Sequence, residues 1–515
     1  MIDYKNINKV FTVNLLSTAL GFINTILIGR YFGIGSGVSA YFAATILFGA
    51  LAKVSQTGTI SEYFFSRYFQ VKKELGLRSA YAQYSILCNW LMLLTGALII
   101  IGLIFSEVIM NFTIQGLDEA TRMQSIRLFR ILIFALPIQI IASLFQSLLN
   151  SEKIYGKSEL SITLSMVISI VILLIWGQTA DPMLLVYTTF IGGLVQLLFI
   201  FYLLKKLEYK HVFKLKSEEF GIRSISKGFT ITSAYAVAVQ VMTVCLTNSI
   251  SKLPENIFPI YKYIETIYTK IAGVVLRPLG LSFYTNINNL VADSSLNIKE
   301  SIRQNLNFSF LIGTAVLGIS LLTAAPLISV LWADHPLSVS EIQIATGLFQ
   351  IYCFLVIIMG AHQVYRKLFI AVDDPRALYL IWIGEQLLIT LCIYLFIPVY
   401  GYPAFVWIII GHTILMTMVP MLLTYFRHRN FFITYGIRYA AKTIMAAGLA
   451  YGGTWILLSA PFAYIKIYNA YFGLFIGGSC FAILFITSAY FLKVPDVRKL
   501  FVEVRGQKSE VRSQK

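Results

Sequence analysis

Long apolar stretches recur along this chain, and polar residues collect in short clusters between them. Each stretch is about as long as the 20 or so residues that a helix needs to cross a bilayer's hydrocarbon core. Backbone groups in hydrocarbon must satisfy one another, which a helix achieves. The pattern therefore predicts about fourteen transmembrane helices. They cover residues 8–30, 38–66, 81–106, 124–150, 159–178, 183–204, 228–251, 257–290, 305–332, 341–365, 377–398, 402–426, 436–459 and 468–492.

The longest charged connection, residues 205–227, divides the first twelve predicted helices into two sets of six. Transporters are often built from such repeated halves, with the substrate site between them. We therefore expect two six-helix bundles around a central cavity, followed by two C-terminal helices. The predicted parts are an N-lobe (1–210), a C-lobe (211–430), the last two helices (431–493) and a basic cytoplasmic tail (494–515).

Composition agrees with the hydrophobic pattern. Of the 515 residues, 57% are hydrophobic and only 13% are charged. Soluble domains carry about 25% charged residues. Together with a mean hydropathy of +0.75, this predicts an all-α polytopic membrane protein.

The net charge of +17 comes from 41 Lys and Arg residues. Most of them fall in predicted loops that alternate to one side of the membrane. This asymmetry follows the positive-inside rule, so we expect both termini in the cytoplasm and contacts with anionic membrane lipids. No basic soluble domain is evident that could bind nucleic acid, and we expect no such partner.

Four charged residues interrupt the apolar segment 257–290: Lys262, Glu265, Lys270 and Arg277. At about 100° per residue they share an arc of roughly 140° on one helix face. Charges within membrane helices are costly and tend to face a cavity. We interpret the set as a mainly cationic cavity lining. Pairing with Glu265 or snorkelling towards headgroups is the alternative.

A second polar group lies in predicted helix 38–66, where Lys53, Gln56 and Thr57 share a face. It is interpreted as a further part of the cavity lining, with helix–helix hydrogen bonding as the alternative. Asn24 adds an amide that can bind a sugar hydroxyl. Glu385 is the only acidic residue of its helix, and with Glu265 it is a candidate for a coupling ion, H⁺ or Na⁺. Glu385 pairing with a basic neighbour is equally compatible.

Motifs of enzymes and nucleotide-driven pumps are absent from the sequence. It has no G-x-x-x-x-G-K-[ST], no H-E-x-x-H and no G-x-S-x-G. No predicted outer loop is long enough for a catalytic domain. We therefore predict a transporter without catalytic residues, metal site or cofactor.

Several motifs resemble the MurJ/MviN lipid II flippase family, part of the multidrug/oligosaccharidyl-lipid/polysaccharide flippase superfamily. They are Leu20-Gly21-Phe22, Gly29-Arg30-Tyr31-Phe32-Gly33, Ala40-Tyr41-Phe42, Gly58-Thr59-Ile60-Ser61, the Leu128–Gly156 segment and Asp373-Asp374-Pro375. The resemblance implies alternating access that moves a lipid-linked sugar across the bacterial plasma membrane. It also implies that the last two helices form a groove for the polyprenyl tail.

The sequence differs from the family pattern at several positions. Thr18, Asn24 and Ala52 stand where the family carries arginines, and Ser39 replaces an acid, whereas Lys53 keeps one basic position. Glu265 aligns approximately with another family arginine. From these differences we expect a substrate other than lipid II, such as a lipid-linked precursor of O-antigen, capsule or exopolysaccharide.

The function predicted from the sequence is thus a flippase for an undecaprenyl-diphosphate-linked saccharide, a cell-envelope polysaccharide or peptidoglycan precursor. Lys53, Lys262, Lys270 and Arg277 would bind the diphosphate. Gln56, Thr57 and Asn24 would bind the sugar. Enzymes of envelope polysaccharide assembly are expected partners. A cation-coupled drug antiporter of the same superfamily, or a membrane-embedded polysaccharide polymerase or glycosyltransferase, is the alternative function.

Overall fold

The computed structural model describes residues 4–56, 58–152, 154–216, 222–254, 256–292, 298–335, 337–372, 376–434, 436–459 and 470–497. These residues form α-helices and short 3₁₀ turns and contain no strand, so the all-α prediction is confirmed. The helices are α1 (Tyr4–Phe32), α2 (Ser36–Gln56), α3 (Gly58–Ile104), α4 (Ser106–Thr113), α5 (Glu119–Leu132), α6 (Leu136–Ser151), α7 (Tyr155–Trp176), α8 (Pro182–Lys206), α9 (Ile222–Ser251), α10 (Ile257–Ala292), α11 (Ile298–Leu331), α12 (Val339–Val372), α13 (Arg376–Tyr400), α14 (Tyr402–Arg427), α15 (Ile437–Ser459) and α16 (Ala470–Phe491).

Twelve helical segments within these ranges are long and apolar enough to cross a membrane, and α5 and α6 together make one of them. Two further helices, α10 with 36 residues and α15 with 23, are also long enough by the criterion of length alone. With these two, the described chain has the fourteen long helical segments that the hydrophobic pattern predicts.

The connection between the second and third predicted helices differs from the prediction. All described residues of the predicted second helix, 38–66, are helical, and the predicted loop 67–80 is helical too, because α3 runs from Gly58 to Ile104. The charged residues there, mainly Lys, Arg and Glu, are good helix formers. Charge alone therefore does not end the helix. A break occurs only at Gly76, whose φ of 85° is a conformation that glycine adopts readily.

The predicted fourth helix, 124–150, is divided by a 3₁₀ turn at Ile133–Ala135. Pro137 lies in the first turn of α6, where its missing N–H needs no partner. The helix before the turn, α5, is capped by Asp118, whose carboxylate accepts a hydrogen bond from the Thr121 N–H at 3.0 Å.

The chain forms two compact units. The first comprises Met1–Tyr263 and Tyr379–Ile408, and the second comprises Ile264–Leu378 and Ile409–Lys515. In the first unit, Tyr263 packs edge-on against Phe42 and donates a hydrogen bond to the Gly33 carbonyl at 2.9 Å. The lobe boundaries drawn from the sequence stay predictions.

Helices α15 and α16 pack on α11 within the second unit. Their shared core includes Leu311, Ala446, Ala450, Phe481 and Phe485, all buried. Rings 481 and 485 stack with centroids 5.7 Å apart. The small alanines of α15 allow close helix packing, which dispersion and shape rather than the hydrophobic effect must stabilise in lipid.

The connection after α8 lies against α3. Asn89 donates from its amide to the carbonyls of Val212 and Lys214, both at 2.9 Å. His211 Nε2 lies 2.8 Å from Asn89 Oδ1, and its Nδ1 lies 3.0 Å from the Tyr209 hydroxyl. These bonds attach residues 209–214 to the middle of α3.

Candidate substrate-binding site

The predicted cationic stripe lies on one continuous helix. All four of its residues, Lys262, Glu265, Lys270 and Arg277, fall within α10, so the helical spacing that places them on one face applies. Both lysines are half-buried, and the Lys262 ammonium lies 5.1 Å from the centre of the Tyr261 ring. The Arg277 side chain is outside the described residues. This helix can present several cations to an anionic group.

The second predicted group lies at the junction of α2 and α3. Lys53 is on α2, and its side chain is exposed. Thr57 and the side chain of Gln56 lie outside the described residues, so the shared face predicted for these three residues stays a prediction.

Glu385 is buried on α13, with 7% of its surface exposed. The neighbouring Gln386 donates from its side-chain amide to Glu385 Oε2 at 2.7 Å. A buried carboxylate within a membrane helix can hold a proton or ligate a cation, and such residues are typically functional.

Asn24 lines a polar pocket within the first unit, built from α1, α2, α6, α7 and α8. The pocket has a volume of about 310 Å³. Ten of the thirteen residues that line it are polar, and none of the thirteen carries a charge. Ser169 donates to Asn24 Oδ1 at 2.9 Å, and the Tyr41 hydroxyl lies 3.4 Å from the Thr189 hydroxyl oxygen.

Most residues of this pocket were missed by the sequence reasoning, which followed charged residues. A signal does exist in the sequence. Gln139, Ser143 and Gln146 stand at i, i+4 and i+7 on α6, and Thr189, Gly193 and Gln196 repeat that spacing on α8. This spacing places each set on one helix face.

The nine predicted site residues thus fall at four places in the fold. Four share α10, and Lys53 and Gln56 share the end of α2, with Thr57 following. Asn24 lies in the polar pocket, and Glu385 lies on α13. A helical membrane protein with charged helices and an uncharged polar pocket inside apolar segments belongs to the class of polytopic membrane transporters.

Comparison with known proteins identifies the family. The model of the lipid II flippase MurJ family matches residues 28–474, and the chain belongs to that family. A protein described as a probable lipid II flippase MurJ, from Buchnera aphidicola subsp. Schizaphis graminum (strain Sg), is 20% identical over 355 residues. The match covers 68% of this chain and 69% of that protein. The resemblance drawn from sequence motifs is confirmed, and the chain is a membrane flippase rather than an enzyme.

Solved structures show the same fold. A lipid II flippase MurJ in an inward closed conformation superposes with a TM-score of 0.73 at 18% identity, covering 95% of this chain and 99% of that one. An inward-facing multidrug resistance MATE transporter of the MOP superfamily gives 0.61 at 14% identity, over 82% and 98%. A MOP transporter from Pyrococcus furiosus Vc1 (DSM3638) gives 0.61 at 16% identity, over 84% and 97%.

Proposed function

We propose that this chain moves a polyprenyl-diphosphate-linked saccharide, a peptidoglycan or other cell-envelope polysaccharide precursor, across the bacterial inner membrane by alternating access. The observation that carries this proposal is the family match over residues 28–474. Alternating access requires two states that bind the substrate differently. The proposed saccharide is linked to undecaprenol, whose long apolar chain stays in the bilayer.

Cations are the natural partners of the diphosphate. Lys262, Lys270 and Arg277 lie on one face of α10 and support this role, and Lys53 at the end of α2 is a fourth candidate. Lysine binds phosphate as a point charge, whereas arginine can bind it with two parallel hydrogen bonds.

The polyprenyl tail requires an apolar surface. Helices α15 and α16 expose large side chains, among them Ile444, Ile456, Phe475 and Ile483. We propose that these last two helices form the groove for the tail, as the resemblance implied from the sequence.

Glu385 and Glu265 are the proposed sites of a coupling ion, H⁺ or Na⁺. Burial of Glu385 next to Gln386 supports this role, because a titratable or cation-binding group needs a protected position. We expect Glu385→Gln to abolish the dependence of transport on an imposed proton or sodium gradient, measured in proteoliposomes. An unchanged gradient dependence would remove Glu385 from the mechanism.

The orientation proposed for the chain places both termini in the cytoplasm. The supporting observation is the basic charge of alternate loops, which include Lys205, Lys206 and Arg427 at the ends of α8 and α14. The proposed contacts are anionic membrane lipids and enzymes of envelope polysaccharide assembly.

Ligand-dependent melting tests the substrate class. A ligand at 100 times its Kd raises the free energy of unfolding by about 2.7 kcal/mol. We expect undecaprenyl-diphosphate saccharides to raise the melting temperature in nanodiscs, and comparison of lipid II with other glycans to identify the preferred head group. Stabilisation by lipophilic cations alone would instead favour a drug antiporter, the alternative that the MATE-like fold keeps open.

A further inference from the structure

The uncharged polar pocket of the first unit contains none of the cationic residues of α10, so binding of a diphosphate by those cations does not explain it. Three of the helices that build it turn polar side chains inward at helical spacing, through residues 139, 143 and 146 on α6, 165 and 169 on α7, and 189 and 196 on α8. Polar groups within apolar helices cost free energy unless they find partners. The presence of so many polar side chains around one pocket therefore indicates that the pocket binds a polar ligand.

One of these groups has no partner in the described structure. The amide nitrogen of Gln146 is buried and makes no hydrogen bond with any described residue. A buried unpaired donor costs about 1–3 kcal/mol. By contrast, the Asn24 amide oxygen already accepts from Ser169. Gln146 is one of the pocket-lining residues, and a rotation of its side-chain amide brings this buried donor to an occupant of the pocket.

The residues that line the pocket indicate which kind of ligand it binds. A diphosphate would require cations, and none of the thirteen lining residues carries a charge. Side-chain amides and hydroxyls both donate and accept hydrogen bonds. This combination matches a neutral polyhydroxylated ring, whose hydroxyls do the same.

Size and shape agree with that choice. A volume of about 310 Å³ lies at the lower end of the range for small-molecule sites, about 300–1,000 Å³. Gly193 lets α8 approach α6 closely at the pocket, since a Cβ at that position would already lie 3.2 Å from Ile138 Cγ2. The Tyr41 ring adds an apolar face for the C–H groups of a sugar.

We propose that this pocket binds a neutral sugar ring of the lipid-linked substrate, with Gln139, Gln146 and Gln196 as its hydrogen-bonding amides. The proposal rests on the proposed flippase function and adds a second recognition site to it. The cations recognise the diphosphate that all such lipids share, whereas the pocket distinguishes one glycan from another.

The test compares two substrates in proteoliposomes. One is undecaprenyl diphosphate carrying a neutral oligosaccharide, and the other is undecaprenyl diphosphate without sugar, both labelled on the isoprenoid next to the diphosphate. The variants are Gln146→Leu, which removes the unpaired amide and is expected to fold at least as well as the native chain, and the double variant Gln139→Leu/Gln146→Leu. Gln178→Leu is the matched control, because Gln178 is exposed in the turn after α7.

We expect the double variant to raise the KM for the glycan-bearing lipid by about 30-fold, corresponding to two neutral hydrogen bonds of about 1 kcal/mol each. The KM for the sugar-free lipid should not change, and the control should match the native chain for both. Equal effects on both lipids, or no effect on either, would contradict the sugar site while leaving the flippase function intact. Failure of the native chain to move either lipid would overturn both proposals.

Discussion

At the scale of single residues, the proposed binding of the diphosphate depends on Lys262 and Lys270. If they contact the diphosphate, replacing either by alanine removes a charge-assisted hydrogen bond, which contributes about 1.5–3 kcal/mol. We expect each variant to raise the KM for a diphosphate-linked lipid at least about tenfold, measured as initial flipping rates over a range of lipid densities.

Lys252→Ala is the control for these variants, because Lys252 has the same side chain and is exposed just before α10. If Lys262→Ala and Lys270→Ala flip the lipid as well as this control does, at equal protein density, the cationic-stripe hypothesis is wrong.

Charged site residues could be found from the sequence, whereas uncharged ones were missed. A lysine such as Lys270 stands out in an apolar helix because its presence is costly. Uncharged polar residues such as Gln146 and Thr189 change the mean hydropathy of a helix little. A single threonine can also donate a hydrogen bond within its own helix, as Thr189 does to the Leu185 carbonyl at 3.0 Å. Only the shared spacing on α6, α7 and α8, together with the fold, brings these residues into one pocket.

Close packing of α11 and α16 yields a prediction at the scale of helices. A Cβ at Gly318 would overlap the Phe481 ring, which is fully buried and has no room to move aside. We expect Gly318→Ala to lower the free energy of unfolding by about 1–3 kcal/mol, measured as a lower thermal midpoint of the purified protein.

Gly448→Ala provides the comparison, because a Cβ at this glycine of α15 meets no atom within 4 Å. Its midpoint should stay the same or rise slightly, since alanine is the better helix former. Equal midpoints for both variants would show that α16 does not pack against α11 as described.

The connection after α8 gives a pH-dependent prediction. Burial lowers the pKa of His211 below its ordinary value, so the folded connection favours the neutral ring, in which Nε2–H donates to Asn89 and Nδ1 accepts from Tyr209. The unfolded ring, with a pKa of about 6.5, binds the proton more readily. This contribution to stability is therefore complete above about pH 6.5 and decreases as the pH falls below that value.

Amide hydrogen exchange can detect this change. After correction for intrinsic rates, residues 209–214 should exchange faster at pH 5.5 than at pH 7.5, and His211→Gln should remove the difference. Equal protection of the native connection at both pH values would mean that His211 does not control its attachment to α3.

Helix boundaries were less predictable than helix number. Apolar length identifies a membrane segment because hydrocarbon requires it, but nothing comparable fixes where a helix ends in water. The residues 67–80 are charged and yet helical, and only the positive φ of Gly76 interrupts them. Pro137, by contrast, marks the beginning of α6 by removing an N–H that has no acceptor there.

At the scale of the whole molecule, the sequence sufficed for the class and the family. Twelve apolar helical segments, the two further long helices α10 and α15, and the family match over residues 28–474 agree with the hydrophobic pattern and with the N-terminal motifs. The choice of glycan depends on side-chain positions in three dimensions, which periodicity does not provide. The identity of the glycan is therefore a proposal.

The most direct test of the account is flipping by the purified native chain in liposomes. Fluorescent undecaprenyl-diphosphate oligosaccharide is placed in both leaflets, and its inner-leaflet fraction is followed with a membrane-impermeant quencher, beside a labelled phospholipid and protein-free liposomes. The account predicts that protein, with an imposed ion gradient, makes the protected fraction of the diphosphate-linked lipid decline while the phospholipid stays protected. Continued protection of that lipid across several glycans, with folded protein present, would contradict it.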